Sequence, residues 1–353
     1  MDSNSKSVTS LFIVLALLAL AVSVSKQDDA DEQKTFAPQL SAGLNDITAI
    51  RVLTGGDNLV ADIRRNNDAW LVHNADNYPA KVGTLRELLL TLSEAEIVEA
   101  TTAIEANYAR LGVRDISMAE AAGVEVEIDG LSESFAIILG NSSSGNTNFA
   151  RLTGQEQSWR ITGTHSPVRI TLDWLDRTLM NFSANDVLSI EIVHGDEETV
   201  LVNKAAAGFE LAGLTGSEKL LASVLNNLAG ALSDLEFNAV MPASDLPDDN
   251  LTRITVRTIN GIDVNVAAAK AEEDIWFTFA VIFDPESTTI APSNDENAAI
   301  ENTPPAEDSS TATAQVKSEQ LSKRLTGWAY KIPTFKSDWL LKRKADLLTQ
   351  SDT

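Results

Sequence analysis

The 353-residue sequence contains no cysteine and only three histidines. Without cysteine the chain forms no disulfide, holds no thiolate-bound metal and has neither a thiol nucleophile nor a lipidated cysteine. His73, His165 and His194 are far apart, and none has a second histidine three or four residues away. That spacing is the one that brings two imidazoles to one face of a helix, so the sequence predicts no histidine-based metal site.

Basic residues are also scarce, with 27 lysines and arginines against 51 aspartates and glutamates. The resulting net charge of -24 repels nucleic acid and anionic lipid headgroups, so we expect no nucleic-acid partner. An acidic surface keeps an exported domain dispersed, and this interpretation is favoured over a surface shaped for a basic partner.

The familiar catalytic motifs are missing as well. The sequence has no HExxH, no GxSxG and no glycine-rich phosphate loop. Residues 55–57 (GGD) and 142–146 (SSSGN) are predicted to be turns rather than phosphate cradles. The acidic pairs at 28–29 and 248–249 lack the spacing of a calcium-binding loop. We therefore expect no catalytic, cofactor-binding or metal-binding residue and predict that the protein is not an enzyme.

Each histidine has an ordinary structural interpretation. His194 is predicted to be a solvated residue at a hairpin tip, His73 to lie at a strand edge, and His165 to lie in a loop before Pro167.

The N-terminus carries the one long apolar run. Residues 7–25 contain no charged side chain and span about 28 Å as a helix, close to the hydrocarbon thickness of a bilayer. We predict a cytoplasmic tail at 1–6, a transmembrane anchor at 7–25 and a linker at 26–44. The alternative is a cleaved signal peptide, since Ser23 and Ser25 have the spacing of a cleavage site. Both interpretations export the remainder, and we expect a single-pass inner-membrane protein with its bulk in the periplasm.

The rest of the chain repeats itself with an offset of about 140 residues. Residues 46–53 (DITAIRVL) align with 186–193 (DVLSIEIV), and each run leads into a turn and two further strand-like segments. Residues 92–96 (LSEAE) match 232–236 (LSDLE) with the same offset. A constant offset on both sides of an intervening segment indicates two copies of one unit.

Between these matched strands each copy has an apolar stripe with helical spacing. The stripes consist of Val82, Leu85, Leu88, Leu89 and Leu92 in the first copy and Leu220, Leu221, Val224, Leu225, Leu228 and Leu232 in the second. Thr84 and Glu87 have capping-box spacing and predict a helix start. Alternating strands such as 124–129 (VEVEID) close each copy. The predicted fold is α+β: an N-terminal transmembrane helix, then two repeated antiparallel-sheet-plus-helix domains.

These patterns define the domain organisation. Repeat domain one is predicted at 45–182 and the first part of repeat domain two at 183–284. Residues 285–315 are rich in Ser, Thr, Pro and acid, and are predicted to be a disordered acidic insertion. Residues 316–349 are basic and apolar, and are predicted to complete repeat domain two. The alternative for this tail is a helix on a membrane or partner surface.

Several segments resemble a known family. The runs 47–53 and 69–72, together with 77–80 (NYPA), 107–113 (NYARLGV) and 327–333 (GWAYKIP), resemble the bacterial domain-of-unknown-function family 4340 over nearly all of the chain after the anchor. The acidic insertion departs from the family. The resemblance implies a membrane-anchored periplasmic protein, often encoded near ABC-type export or gliding-motility-type transport components. It carries over no catalytic residue.

Two functions follow as expectations. The first is a non-catalytic accessory or interaction subunit of an ABC-type export or gliding-motility-like membrane complex, with ABC transporter components as candidate partners. The second is a periplasmic hydrolase or carbohydrate-processing enzyme using paired carboxylates, which would need a cleft with two carboxyl groups about 5–10 Å apart.

The anchor can be tested directly. We expect the full chain to sediment with membranes and its bulk to be digested by protease added to spheroplasts, because residues 7–25 alone cross the bilayer. Deleting residues 1–26 should release a soluble protein. Protection from protease in intact spheroplasts would overturn the predicted orientation.

Overall fold

A computed structural model describes the chain at residues 34–163, 167–215, 220, 222–247, 251–288 and 309–348. The predicted tail at 1–6 and anchor at 7–25 lie outside these residues. Within them, no helix is long and apolar enough to cross a membrane.

The chain divides into two compact units. Of the described residues, the first unit contains those up to Arg65 and those within Gly83–Arg169, and the second contains Asn66–Val82 and those from Ile170 onward. The predicted boundary between residues 182 and 183 does not coincide with this division, because a short segment of the first repeat contributes to the core of the second unit.

The first unit is built on an antiparallel sheet with the strand order β2-β1-β6-β7-β8-β9-β5. These strands are β1 Ala49–Thr54, β2 Asn58–Asn66, β5 Ile97–Ala100, β6 Val124–Asp129, β7 Phe135–Ser143, β8 Thr147–Leu152 and β9 Ser158–Thr162. The register places Ile50 opposite Ile128 and Val52 opposite Val126. All four side chains are buried, so the alternating pattern defines one apolar face of the sheet.

The helices of the first unit are α1 Pro38–Gly43, α2 Val82–Ser93 and α3 Tyr108–Leu111, α2 taking its first residue from the second unit. Helix α2 matches the predicted span, but it begins at Val82, so Thr84 is inside the helix and is not its N-cap. The predicted linker at 26–44 is partly folded, because α1 lies within it and Leu40 is buried. Thr35 pairs with Glu96, which attaches the start of the described chain beside β5.

A second core covers the other face of this sheet. It consists of Tyr108, Leu111, Val113, Ile116, Ala121 and Ile138, with Leu53 and Phe149 packed against it. Ile138 and Leu53 both pair with Glu125, one residue away from the register of Val126, so they point to the opposite side of the sheet. The first unit therefore has apolar layers on both faces.

The second unit has a larger sheet with the strand order β13-β12-β11-β16-β17-β18-β19-β15. Its strands are β3 Ala69–Val72, β4 Tyr78–Pro79, β10 Thr178–Met180, β11 Val187–Val193, β12 Thr199–Ala205, β13 Gly208–Leu211, β14 Leu235–Glu236, β15 Ala239–Pro242, β16 Thr252–Thr258, β17 Ile262–Ala271, β18 Asp274–Phe283 and β19 Trp328–Lys331. β3 pairs with β4, and β10 and β14 form a two-stranded sheet of their own. Its helices are α4 Ala222–Ala229, α5 Ser309–Leu325, α6 Thr334–Leu340 and α7 Lys344–Leu347.

The two sheets share one relative strand order. The strand order in the first unit is β2-β1-β6-β7-β8-β9-β5. It corresponds strand by strand to the order β12-β11-β16-β17-β18-β19-β15 in the second unit. The fold is thus a mixed α/β structure dominated by antiparallel sheets, as expected. That the two copies superpose as one fold stays a prediction.

Two predicted segments of the second unit have different bounds. The helix predicted at 220–232 is confined to Ala222–Ala229, because the chain turns at Gly230 and Asp234 has a positive φ of 44°. The insertion predicted at 285–315 contains folded residues at both ends, a 3-10 turn at Pro285–Thr288 and the start of α5 at Ser309. Residues 289–308 lie outside the described part of the chain.

An aromatic cluster lies at the centre of the second unit. Tyr78 packs edge-on against Phe237 and Trp328, with ring centroids 5.2 and 5.0 Å apart, and Tyr330 packs 5.4 Å from Phe237. Tyr78 and Tyr330 are completely buried. Burial raises the pKa of Tyr78 to about 12. This cluster is what incorporates the segment 66–82 into the second unit.

The helix assignments predict the cost of core truncation. Leu89 and Leu225 are buried on α2 and α4, so we expect Leu89→Ala and Leu225→Ala each to lower the free energy of unfolding by about 2–4 kcal/mol. Leu90, on the same helix as Leu89, is 43% exposed and is the matched control. Leu90→Ala should cost less than about 0.5 kcal/mol in the same denaturant titration. Equal losses at positions 89 and 90 would contradict the burial of the stripe.

Candidate functional site

Of the three histidines, one differs from its prediction. His194 is only 6% exposed, and its Nε2 lies 3.3 Å from the carbonyl oxygen of Lys342. The prediction that His194 is a solvated turn residue is therefore wrong, because the C-terminal segment packs over this hairpin. His73 is exposed, as expected of an edge position, with Nδ1 3.0 Å from Asn77 Oδ1. His165 lies outside the described residues.

The C-terminal segment is held on that hairpin by charges. Arg343 Nη1 donates to Asp196 Oδ2 at 2.9 Å and also to Glu198. The backbone N–H of Lys344 donates to Glu198 Oε1 at 2.9 Å. The hydrogen bond from Arg343 lowers the pKa of Asp196, and the bond from Lys344 N–H lowers the pKa of Glu198. The tail thus packs onto the second unit.

The remaining predicted features occupy ordinary positions. Residues 55–57 form the turn between β1 and β2, and residues 144–146 the turn between β7 and β8. In the part of the chain that the structure describes, no three His, Asp or Glu side chains are grouped closely enough to hold a metal ion. The acidic pairs at 28–29 and 248–249 lie outside that part.

Glu125 and Glu127 are the neighbouring carboxylates that relate most directly to the hydrolase alternative. Both are on β6, two residues apart and therefore on one face. Burial, with a smaller effect of the charge on Glu127, raises the pKa of Glu125. Arg51 pairs with Glu127 at 2.5 Å. Neither glutamate lines the groove or the cleft described below, so this pair is not presented to a bound ligand there.

A groove in the second unit is the best candidate for a binding surface. It has a volume of about 550 Å³ and lies between the end of β18 and helix α5. Its lining includes Val281, Ile282, Phe283, Gln315, Glu319 and Lys323. We call it the β18 groove.

Helix α5 forms one wall of the β18 groove because its buried face carries small side chains. Ala314, Ser318, Leu321 and Leu325 recur at helical spacing and are buried. The Ser318 hydroxyl donates to the carbonyl oxygen of Gln315 at 2.8 Å, so this buried polar group is satisfied within the helix. Alanine and serine let the helix lie close against β18.

Two exposed apolar side chains lie in or next to the β18 groove. Ile282 is 49% exposed and Val316 is 51% exposed. Val316 precedes Glu319 and Lys323 by three and seven residues, so all three share one stripe of α5. Ile282 and this stripe of α5 thus combine two branched apolar side chains with one carboxylate and one ammonium group. Such a surface suits an apolar contact surrounded by polar ones.

Sequence reasoning missed this groove. Two signals were present in the sequence: the apolar run at the end of β18, residues 281–283, and Val316 in an otherwise polar stretch. Period-two alternation buries Val281 and exposes Ile282, but only the position of α5 shows that both border a groove.

The fold defines a protein with two units, each built on an antiparallel sheet with short helices. A sequence model of the domain of unknown function DUF4340 matches residues 70–253, more than half of the 353-residue chain. The chain belongs to that family. The segments 77–80 and 107–113 lie within the match, whereas 327–333 lies beyond it. Searches of curated proteins and of solved structures gave no match.

One family-like segment has a clear structural role. Tyr108, in segment 107–113, lies under the guanidinium of Arg151, whose central carbon is 4.6 Å from the ring centroid. Arg151 is buried, donates to Val113 O at 2.9 Å and pairs with Asp115 at 2.5 Å. The segment therefore supports the second core of the first unit.

The tail contact predicts a pH-dependent effect. The pKa values of Asp196 and Glu198 are lower in the folded state, so their stabilisation is present above their unfolded pKa of about 4 and is lost as the pH falls through the folded values. We expect Arg343→Gln to lower the Tm at pH 7, and the difference from the unmodified protein to shrink towards about pH 3. Arg253→Gln, at an exposed site on β16, is the control. A Tm difference independent of pH would contradict the ion-pair account.

Proposed function

We propose that this protein is a non-catalytic, membrane-anchored periplasmic subunit that acts by contact with another membrane protein. The observation that carries the proposal is the β18 groove, which is lined by the exposed Ile282, with the exposed Val316 on the same stripe of α5 as the lining residues Glu319 and Lys323. An exposed apolar pair beside a concave surface loses contact with water when a partner covers it.

The chemistry of the groove specifies the kind of partner. Ile282 and Val316 favour an apolar side chain inserted between β18 and α5. Glu319 and Lys323 offer one acceptor group and one donor group at the rim, which fix the orientation of a polar backbone or side chain. A protein segment with one or two apolar anchors meets these requirements.

Tethering strengthens such a contact. An anchor at residues 7–25 confines the two units to the neighbourhood of the bilayer, which raises their effective concentration towards other membrane proteins. A weak groove contact then becomes sufficient. The resemblance to family members encoded near transport components points to an ABC-type export or gliding-motility-like complex, in which this chain is an accessory subunit.

The groove contact can be tested by crosslinking in intact membranes. A photo-reactive amino acid at position 316 of the full-length protein should give a discrete adduct with a membrane protein. Ile282→Asp should remove this adduct, because the variant replaces an apolar contact side chain by a carboxylate that must lose its hydration when the partner covers it. Ile275→Asp is the matched control, since Ile275 is an exposed isoleucine near the other end of β18.

The pattern of loss decides the outcome. Loss of the adduct with Ile282→Asp and its retention with Ile275→Asp support the proposal. An adduct that persists with both variants, or the absence of any adduct in membranes, would show that the groove is not the contact surface. Identification of the adduct by mass spectrometry then tests whether the partner is a transport component.

A further inference from the structure

A second concavity of the second unit differs in chemistry from the β18 groove. It has a volume of about 330 Å³ and lies between α4 and α6, and we call it the α4–α6 cleft. This volume is at the lower end of the range of small-molecule sites. Its lining includes Asn226, Asn227, Ser233, Phe335, Lys336 and Trp339.

One wall of the α4–α6 cleft is aromatic. Phe335 and Trp339 are four residues apart on α6, so their side chains lie on one face of the helix. Phe335 is 62% exposed and Trp339 is partly exposed. Lys336 Nζ lies over one face of the Phe335 ring, 5.6 Å from its centroid, and Lys342 Nζ lies over the Trp339 ring at 5.5 Å. A phenylalanine so exposed on a short helix contributes little to the core, and a ligand would pack on the ring face opposite the lysine.

The facing wall is polar and uncharged. Asn226 and Asn227 are exposed on α4, and each amide group offers both hydrogen-bond donors and an acceptor. The cleft is thus aromatic on one side and amide-lined on the other. Among the described residues that line the cleft there is no carboxylate.

Lys336 fixes the geometry of the cleft. Its Nζ donates to the carbonyl oxygens of Gly230 and Ser233, at 3.2 and 2.7 Å, just beyond the C-terminus of α4. Burial lowers the pKa of this ammonium group. The bonds tie α6 to the end of α4, so both walls are held before any ligand arrives.

We propose that the α4–α6 cleft binds a saccharide, as one pyranose unit or a disaccharide. A pyranose ring has an apolar C–H face that packs on an aromatic ring, and a rim of hydroxyl groups that need both donors and acceptors. Phe335 and Trp339 serve the first requirement, and Asn226 and Asn227 serve the second. None of the described residues that line the cleft is a carboxylate that could act as acid or base, so the proposal is one of sugar binding and not of hydrolysis.

Binding should be measured on the full-length protein in lipid nanodiscs, because detergents with sugar headgroups would compete. The probes are glucose, galactose, N-acetylglucosamine, glucuronic acid, maltose and chitobiose, each followed by saturation-transfer NMR and then titrated. We expect at least one to bind. Phe335→Ala should weaken it about tenfold, the loss expected for one stacked ring, and Asn227→Ala should also weaken it.

Matched variants keep the result interpretable. Phe335 and Asn227 are exposed, so their substitution leaves the fold intact, whereas Trp339→Ala needs a check of its Tm. Trp276→Ala, at a partly exposed tryptophan on β18, should leave affinity unchanged. If none of the six sugars binds, or if Phe335→Ala binds as tightly as the unmodified protein, the proposal fails.

Discussion

The second unit depends on the aromatic cluster around Tyr78. Its members come from three segments that are distant in sequence: Tyr78, Phe237, and the pair Trp328 and Tyr330 of β19. Joining them closes long loops, which costs chain entropy that only substantial apolar burial offsets. Aromatic side chains bury more area per residue than any others, so a few of them suffice to hold the three segments together.

The shapes of the β18 groove and of the α4–α6 cleft both depend on that cluster. Helix α5 precedes β19 and helix α6 follows it, so the position of Trp328 and Tyr330 fixes the ends of both helices. Helix α5 then forms a wall of the β18 groove, and α6 forms a wall of the α4–α6 cleft. When β19 joins the sheet, the helices on either side of it, α5 and α6, are therefore positioned as walls of the two candidate binding surfaces. The apolar groove suits a protein segment, and the aromatic and amide-lined cleft suits a sugar.

The two sheets share a strand order but differ in what covers them. In the first unit the long connection between β5 and β6 folds over one sheet face and forms the core around Tyr108 and Arg151. In the second unit the corresponding connection between β15 and β16 is short, and sheet residues such as Thr255 and Trp276 are only partly buried. In the second unit the long connection is instead the one between β18 and β19, and it contains α5. Similar sheets thus support different surfaces because their insertions occur at different connections.

The sequence by itself determined the local elements. Alternation predicted β6, and the leucine stripe predicted α2, because side-chain periodicity is set by backbone geometry within each element. The family was also evident from short segments, and the match over residues 70–253 confirms it. These features depend only on neighbouring residues, so a single sequence is enough to recognise them.

Only the tertiary structure decided how distant residues meet. His194 follows β11 and reads as a solvated turn, yet Lys342 and Arg343, about 150 residues later, cover it. Segment 66–82 belongs to the first repeat by sequence, but Tyr78 packs among aromatic rings of the second unit. The tertiary structure also shows which elements face Ile282, Val316, Phe335 and Asn227. Only those facing elements make these residues candidates for binding. Burial and concavity arise from contacts across long loops, and no local periodicity encodes those contacts.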